Sequence, residues 1–216
     1  MSFNQTSLSF VIALAALTGS AAAQDSPIHV AAATLEIEMQ GQTVTLPRPS
    51  WSIGKGDELA SEMFRKVHAN GVEIIEFIPA GETLDTWTRM SAALVVAQPG
   101  YPADAHMGSV VDAFTAGCKP DALRFGTELP ATDGRPAVLV AACEEFNPGP
   151  VGTAPGQGEI MLLVVAENAG GAVKVYEEWR GPAFSLDDVG TWPVDLQEYR
   201  SRAEALQASV GFVASP

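Results

Sequence analysis

The chain has few cysteines, few histidines, few basic residues and no long apolar run, and each shortage removes a class of function. Its two cysteines, Cys118 and Cys143, stand 25 residues apart in a chain of 216. That spacing is not a C-x-x-C redox motif, and no second pair completes a zinc site. Three histidines, His29, His68 and His106, are isolated in sequence, so no H-E-x-x-H helix presents two ligands on one face. G-x-S-x-G is absent, which leaves no nucleophile elbow for acyl transfer. The glycines of 152–158 lack the Lys-Ser/Thr of a phosphate loop and lead into a strand pattern rather than a helix. The sequence therefore assigns no catalytic residue, no cofactor-binding residue and no metal ligand, and requires no cofactor.

Basic residues number 12 against 26 acidic ones, a formal net charge of -14. Such a surface repels nucleic acid and anionic lipid head groups and permits basic partners or divalent cations, although its first reading is that the acidity only keeps an exported protein soluble. The apolar run at residues 8–17 is about half of the roughly 20 residues that a membrane helix needs. A polar start, that run, and Ala21 and Ala23 in A-x-A relation read as a signal peptide over residues 1–23, although no Lys or Arg precedes the run. Cleavage before Gln24 is expected, giving a periplasmic or secreted protein with no membrane insertion afterwards. Residues 24–216 suit one domain around one sizeable core. In an oxidising compartment the simplest state of Cys118 and Cys143 is a single disulfide.

Hydrophobic periodicity supplies the layout. Leu35, Ile37 and Met39 alternate with Glu36 and Glu38, and a turn at Gln40-Gly41-Gln42 leads to Val44 and Leu46, which predicts a hairpin. Glu36 and Glu38 share a strand face with Cα atoms about 7 Å apart, a carboxylate pair that is equally the polar face of an amphipathic strand. Asp57 as a cap, with Leu59, Met63 and Val67 at helical spacing, predicts a short helix over 57–67 stopped by Asn70-Gly71. Strands follow over 72–78 and from Ser91, then a helix over 106–117 and a strand over 123–129. A turn at 132–135 leads to the apolar run 137–143, read as a central strand, and 159–167 pairs with 172–180 as a hairpin. In strands, Glu144-Glu145 and Glu177-Glu178 point to opposite faces, so one carboxylate of either pair could enter a cation site, although no EF-hand spacing is present. A last helix is capped by Asp195 and carries Leu196, Tyr199, Ala203, Leu206 and Val210 on one face.

The sum is an α+β domain, a mostly antiparallel sheet of six or seven strands with helices packed on it. Two stretches, 147–158 and 181–194, are irregular, and loops of this length in compact domains are often functional. Asn147, Pro148, Pro150 and Pro155 in the first, and Trp192 in the second, are the expected contacts for a protein partner. Trp51, Trp87 and Trp179 are expected to anchor the core at sheet ends.

Ile74-Ile75-Glu76-Phe77-Ile78-Pro79, Thr83-Leu84-Asp85-Thr86-Trp87-Thr88, Cys118, Cys143 and Val175-Tyr176-Glu177-Glu178-Trp179-Arg180 together resemble a group of uncharacterised exported proteins of proteobacteria, over residues 51–212. That group often carries a further cysteine near the C-terminus, where this chain has Val210-Gly211-Phe212-Val213. More distantly, the element order and apolar last helix are similar to PsbP-like and DcrB-like domains, mostly accessory proteins without catalysis. The resemblance implies a PsbP-like layout and an exported accessory or binding role, with an envelope hydrolase or a small-ligand carrier as alternatives.

Overall fold

The computed structural model describes residues 28–56, 58–132, 134–147 and 156–214. The expected signal peptide, its cleavage point, Asp57, Pro148, Pro150 and Pro155 lie outside the described residues. The elements are β1 (Ile28–Val30), β2 (Thr34–Met39), β3 (Gln42–Pro47), β4 (Ser61–Val67), β5 (Val72–Pro79), β6 (Arg89–Val96), α1 (Ala103–Gly117), β7 (Leu123–Leu129), β8 (Val138–Cys143), β9 (Gln157–Asn168), β10 (Gly171–Pro182), α2 (Leu196–Ser209) and β11 (Gly211–Ala214). The strands form two antiparallel sheets, ordered β1-β2-β3-β11 and β4-β5-β6-β10-β9-β8-β7. The class is α+β, as periodicity predicts, but the expected single sheet is two.

The smaller sheet escapes a sequence reading because its outer strands, β1 and β11, have only three and four residues. β11 also follows directly on the apolar stripe of α2, so that Val210, expected on the helix, is its extended C-cap. A second correction concerns 57–67. Met63 and Val67 sit at helical spacing, yet they are 50% and 60% exposed and β4 is a strand. Its partner decides the matter: Gly71, at φ +79, turns the chain so that Val67 to Ser61 zip along Glu73 to Pro79. The third correction is that β8 lies next to the sheet edge, and β10 holds the centre. β8 reads as apolar throughout because both of its faces are covered, with Val138 and Ala142 in one core and Ala141 and Cys143 in the other.

Two hydrophobic cores flank the large sheet. On one side Leu35, Ile37, Val44 and Leu46 of the small sheet and Tyr199, Ala203 and Leu206 of α2 pack on Ile75, Phe77, Val173 and Val175. On the other, Val110 and Phe114 of α1 pack on Ala92, Leu163 and Tyr176. The β9–β10 hairpin fixes the register of this arrangement through a two-residue loop, Ala169-Gly170. Gly171 must be glycine, since at φ +149 an added Cβ would lie 2.0 Å from the Val96 carbonyl oxygen. Asn168 ties the hairpin tip to the small sheet by donating to the Gln42 side chain at 2.9 Å and the Phe212 carbonyl at 3.3 Å.

Candidate functional site on the centre of the large sheet

A central strand covered on both faces is ordinarily apolar on both. β10 is not. Side chains alternate along it, so Lys174, Tyr176, Glu178 and Arg180 face the α1 layer while Val173, Val175, Glu177 and Trp179 face the small sheet and α2. Lys174, Glu177 and Glu178 are each no more than 9% exposed, although such residues are seldom buried unless paired.

Most buried carboxylates here have a partner that explains them. Glu177 is held in a two-pronged contact by Arg202 of α2, whose Nε donates at 2.7 Å and whose Nη2 also reaches the carbonyl of Arg48 at 2.9 Å. Arg48 in turn donates to Ser52 Oγ at 3.1 Å and to the Glu58 carbonyl at 2.7 Å. This chain of bonds fastens α2 and the segment after β3 to the sheet. Burial pushes the Glu177 carboxyl up against the opposing pull of Arg202. Glu159 accepts two bonds from Arg180, at 2.9 and 2.8 Å, while the Arg180 guanidinium stacks 3.8 Å above the Trp87 ring. Glu73 accepts from Arg65 and from the backbone of Gln40, linking β5 to β4 and to the small sheet.

Glu178 differs. It is 7% exposed, lies between Met90 and Met161 on the neighbouring strands, and receives no hydrogen bond and no ion pair within 4.0 Å from the described residues. Burial holds its carboxyl well above the usual carboxylate range, and the negative charge of Glu159 pushes the same way. Lys174, two positions back on the same face from Tyr176, lays its Nζ 4.4 Å from the centre of that ring. Burial lowers the Lys174 ammonium, against the pull of Glu178 and Glu76. Glu76, on the same face of β5, is half-buried and also raised by burial. The Tyr176 hydroxyl is pushed up by burial and by the surrounding carboxylates.

α1 lies over β7 to β10. The half of the face formed by β4 to β6 presents Phe64, Ile74, Glu76 and Leu94, all half-buried, beside Lys174 and Glu178. With Arg180 committed to Glu159, the remaining charges are three carboxylates, Glu62, Glu76 and Glu178, against two ammonium groups, Lys66 and Lys174, both of which pull on Glu76. The arrangement can accept a cationic, hydrogen-bond-donating group. At its flank, His106 of α1 is buried against Tyr101 with its Nε2 unpartnered, and burial keeps the imidazole below its ordinary value.

The chain matches no family model, no curated protein and no solved structure.

Cys118 and Cys143 are bonded, with Cα atoms 5.7 Å apart. Asn147 lies against that bridge, its side chain donating to the Cys118 carbonyl at 2.9 Å and its backbone to the Gly117 carbonyl at 2.8 Å. Trp192 is half-buried, edge-on to Tyr199 at a centroid distance of 5.3 Å, with Nε1 donating to the Ser185 carbonyl at 3.1 Å. The two irregular stretches meet where Ala183 N donates to the Gly156 carbonyl at 2.8 Å. Neither Asn147 nor Trp192 hydrogen-bonds to the Glu178 cluster. Trp87 and Trp179 are buried as expected, and Trp51 is half-buried with Nε1 donating to Ser61 Oγ at 2.9 Å. Glu36 and Glu38 stay on the outer face of β2, where Glu38 accepts from the Thr43 hydroxyl at 2.6 Å. Among the described residues no group of three or more His, Cys, Asp or Glu side chains is placed to hold a metal ion, and no helix is long and apolar enough to cross a membrane.

Proposed function

We propose that the protein is a noncatalytic accessory or binding protein of the cell envelope, delivered by a cleaved signal peptide, that takes a basic group of a protein partner at the Glu76 and Glu178 face. The observation that carries this reading is Glu178, 7% exposed on the central strand, whose carboxylate takes no donor from the described residues and keeps only a narrow opening to solvent. Such burial is costly unless the group is hydrogen-bonded. An ammonium or guanidinium from a partner supplies both the charge and the donors. The acidic surface favours the same class of partner. The PsbP-like layout belongs to this proposal and is supported by a C-terminal helix lying on antiparallel strands.

A hydrolase needs a nucleophile or a held water in a cleft beside the acid, and a carrier needs an enclosed apolar pocket. An open depression of about 540 Å³ is lined by Asp195, Leu196, Gln197, Arg200, Ser201 and Glu204, all on or next to the first turns of α2, and lies apart from the cluster. The hydrolase reading is favoured by one observation, a raised carboxyl near a lowered ammonium.

Binding of a Lys/Arg-rich peptide tests the proposal. Glu178→Gln and Glu76→Gln are each expected to weaken it roughly tenfold, the worth of a charge-assisted hydrogen bond. Unchanged binding would move the contact to 147–158 and Trp192. Glu178→Gln also carries a pH signature. Because the folded carboxyl titrates above its ordinary 4.5, its stability contribution is full below that value and is lost as pH rises through the folded pKa. The variant should therefore gain on the parent as pH rises from 4 to 7, by about 1–3 kcal/mol at neutral pH in thermal unfolding. A difference that is flat in pH would mean that the folded carboxyl titrates where an unburied one does, and a difference of opposite slope that it is paired with a cation.

Export has its own measurement. The intact mass of protein recovered from a secreting host should correspond to a chain starting at Gln24, and retention of residues 1–23 on membranes would contradict it.

A further inference from the structure

β4 is an edge strand of the large sheet. His68 N donates to the Val72 carbonyl at 2.8 Å and Ala80 N to the Ala60 carbonyl at 3.0 Å. Even-numbered residues of β4 therefore bond inward to β5, and the N–H and C=O groups of Ser61, Met63, Arg65 and Val67 point out from the free edge. Met63 and Val67 beside them are 50% and 60% exposed. An edge of seven residues with this backbone and these side chains is a template for another strand.

Its sequence, Ser61-Glu62-Met63-Phe64-Arg65-Lys66-Val67, is self-complementary when read against itself in the opposite direction. Centred on Phe64, antiparallel pairing sets Glu62 of each copy opposite Lys66 of the other and Met63 opposite Arg65. The outward-pointing odd residues then exchange hydrogen bonds. Moving the centre to Arg65 sets two guanidinium groups opposite each other, and moving it to Met63 leaves Lys66 unopposed. Glu62 and Lys66 are both exposed and form no ion pair with the described residues, and Glu62 accepts only a long, exposed bond from Gly81 N at 3.3 Å. At the opposite edge, Arg124 and Glu128 of β7 have similar spacing, but a bulge between Thr127 and Leu129 breaks that strand and Glu128 is taken by the Tyr199 hydroxyl at 2.7 Å.

We propose that β4 pairs antiparallel with β4 of a second copy of this chain, in the register centred on Phe64, joining two seven-stranded sheets into one continuous sheet. Phe64 of the two copies then forms a pair without mutual backbone hydrogen bonds, with Cα atoms about 4.5 Å apart, close enough for a disulfide between cysteines placed there.

Sedimentation equilibrium over a concentration series tests the association, and charge reversal tests the register. Glu62→Lys and Lys66→Glu should each weaken the dimer roughly tenfold by turning two attractive cross-strand pairs repulsive. The double variant Glu62→Lys/Lys66→Glu should restore it. Phe64→Cys should give a reducible dimer on mild oxidation, while Met63→Cys and Arg65→Cys should not. A monomer at every concentration, a dimer indifferent to both single reversals, or crosslinking at Met63→Cys or Arg65→Cys in place of Phe64→Cys would overturn the proposal.

Discussion

Arg202→Leu is expected to lower the unfolding free energy by about 3–5 kcal/mol at neutral pH, the cost of removing one partner from a buried ion pair. The Arg202 and Glu177 side chains are each 5% exposed, and water cannot replace the lost guanidinium without opening the layer between β10 and α2. The carbonyl of Arg48 loses a donor in the same step, so the segment after β3 should loosen along with the helix. The double variant Glu177→Met/Arg202→Met should recover most of the loss, because apolar side chains of similar volume often replace a buried pair at little net cost. Urea unfolding of the two variants against the parent makes the comparison. A single variant within about 1 kcal/mol of the parent would mean that the pair is solvated, since exposed pairs contribute about that much or less.

Removing the disulfide should have an effect of similar size. Replacing Cys118 and Cys143 with alanine frees a loop with a sequence separation of 25, worth about 3.5 kcal/mol on the chain-entropy account. At about 2–4 °C per kcal/mol for a domain of this length, the midpoint should fall by roughly 10 °C. The bridge joins the C-cap of α1 to the last residue of β8, so the loss should appear first as increased hydrogen exchange along α1. Calorimetry of the variant, and of the parent after reduction, should agree. Free thiols in non-reduced, denatured parent protein would refute the bond itself.

Local chemistry made some of this molecule legible in its sequence. The β2–β3 turn is a two-residue loop in which Gln40 and Gly41 both adopt positive φ, at 49° and 70°, as the alternation on either side suggests. Asp195 caps α2 by accepting from Gln197 N and Glu198 N, at 2.8 and 3.2 Å. The β9–β10 hairpin also lies where its turn residues put it. What could not be read depends on partners distant in sequence. Met63 and Val67 mimic a helix face because nothing local says that β5 will take the even-numbered backbone of β4. Arg202 sits inside the apolar stripe of α2, where an arginine is by default assigned to water, and only the β10 register brings Glu177 to it. The alternation of Glu177 and Glu178 was visible, and so was the fact that they face opposite ways. That one has a guanidinium and the other has no donor follows from what packs above each face.

The small sheet joins the two ends of the described chain, since β11 pairs Gly211 to Ala214 with Thr45 to Gln42 of β3. A chain made from its N-terminus forms β2 and β3 early and then holds the outer edge of β3 open until residues 211–214 arrive. Everything between must already be folded or tolerated as a loop, and loop-closure entropy makes such end-to-end pairing a slow step. The edge of β3 is therefore the surface most exposed to wrong pairing while the protein is young, and the four residues of β11 act as the closing clasp.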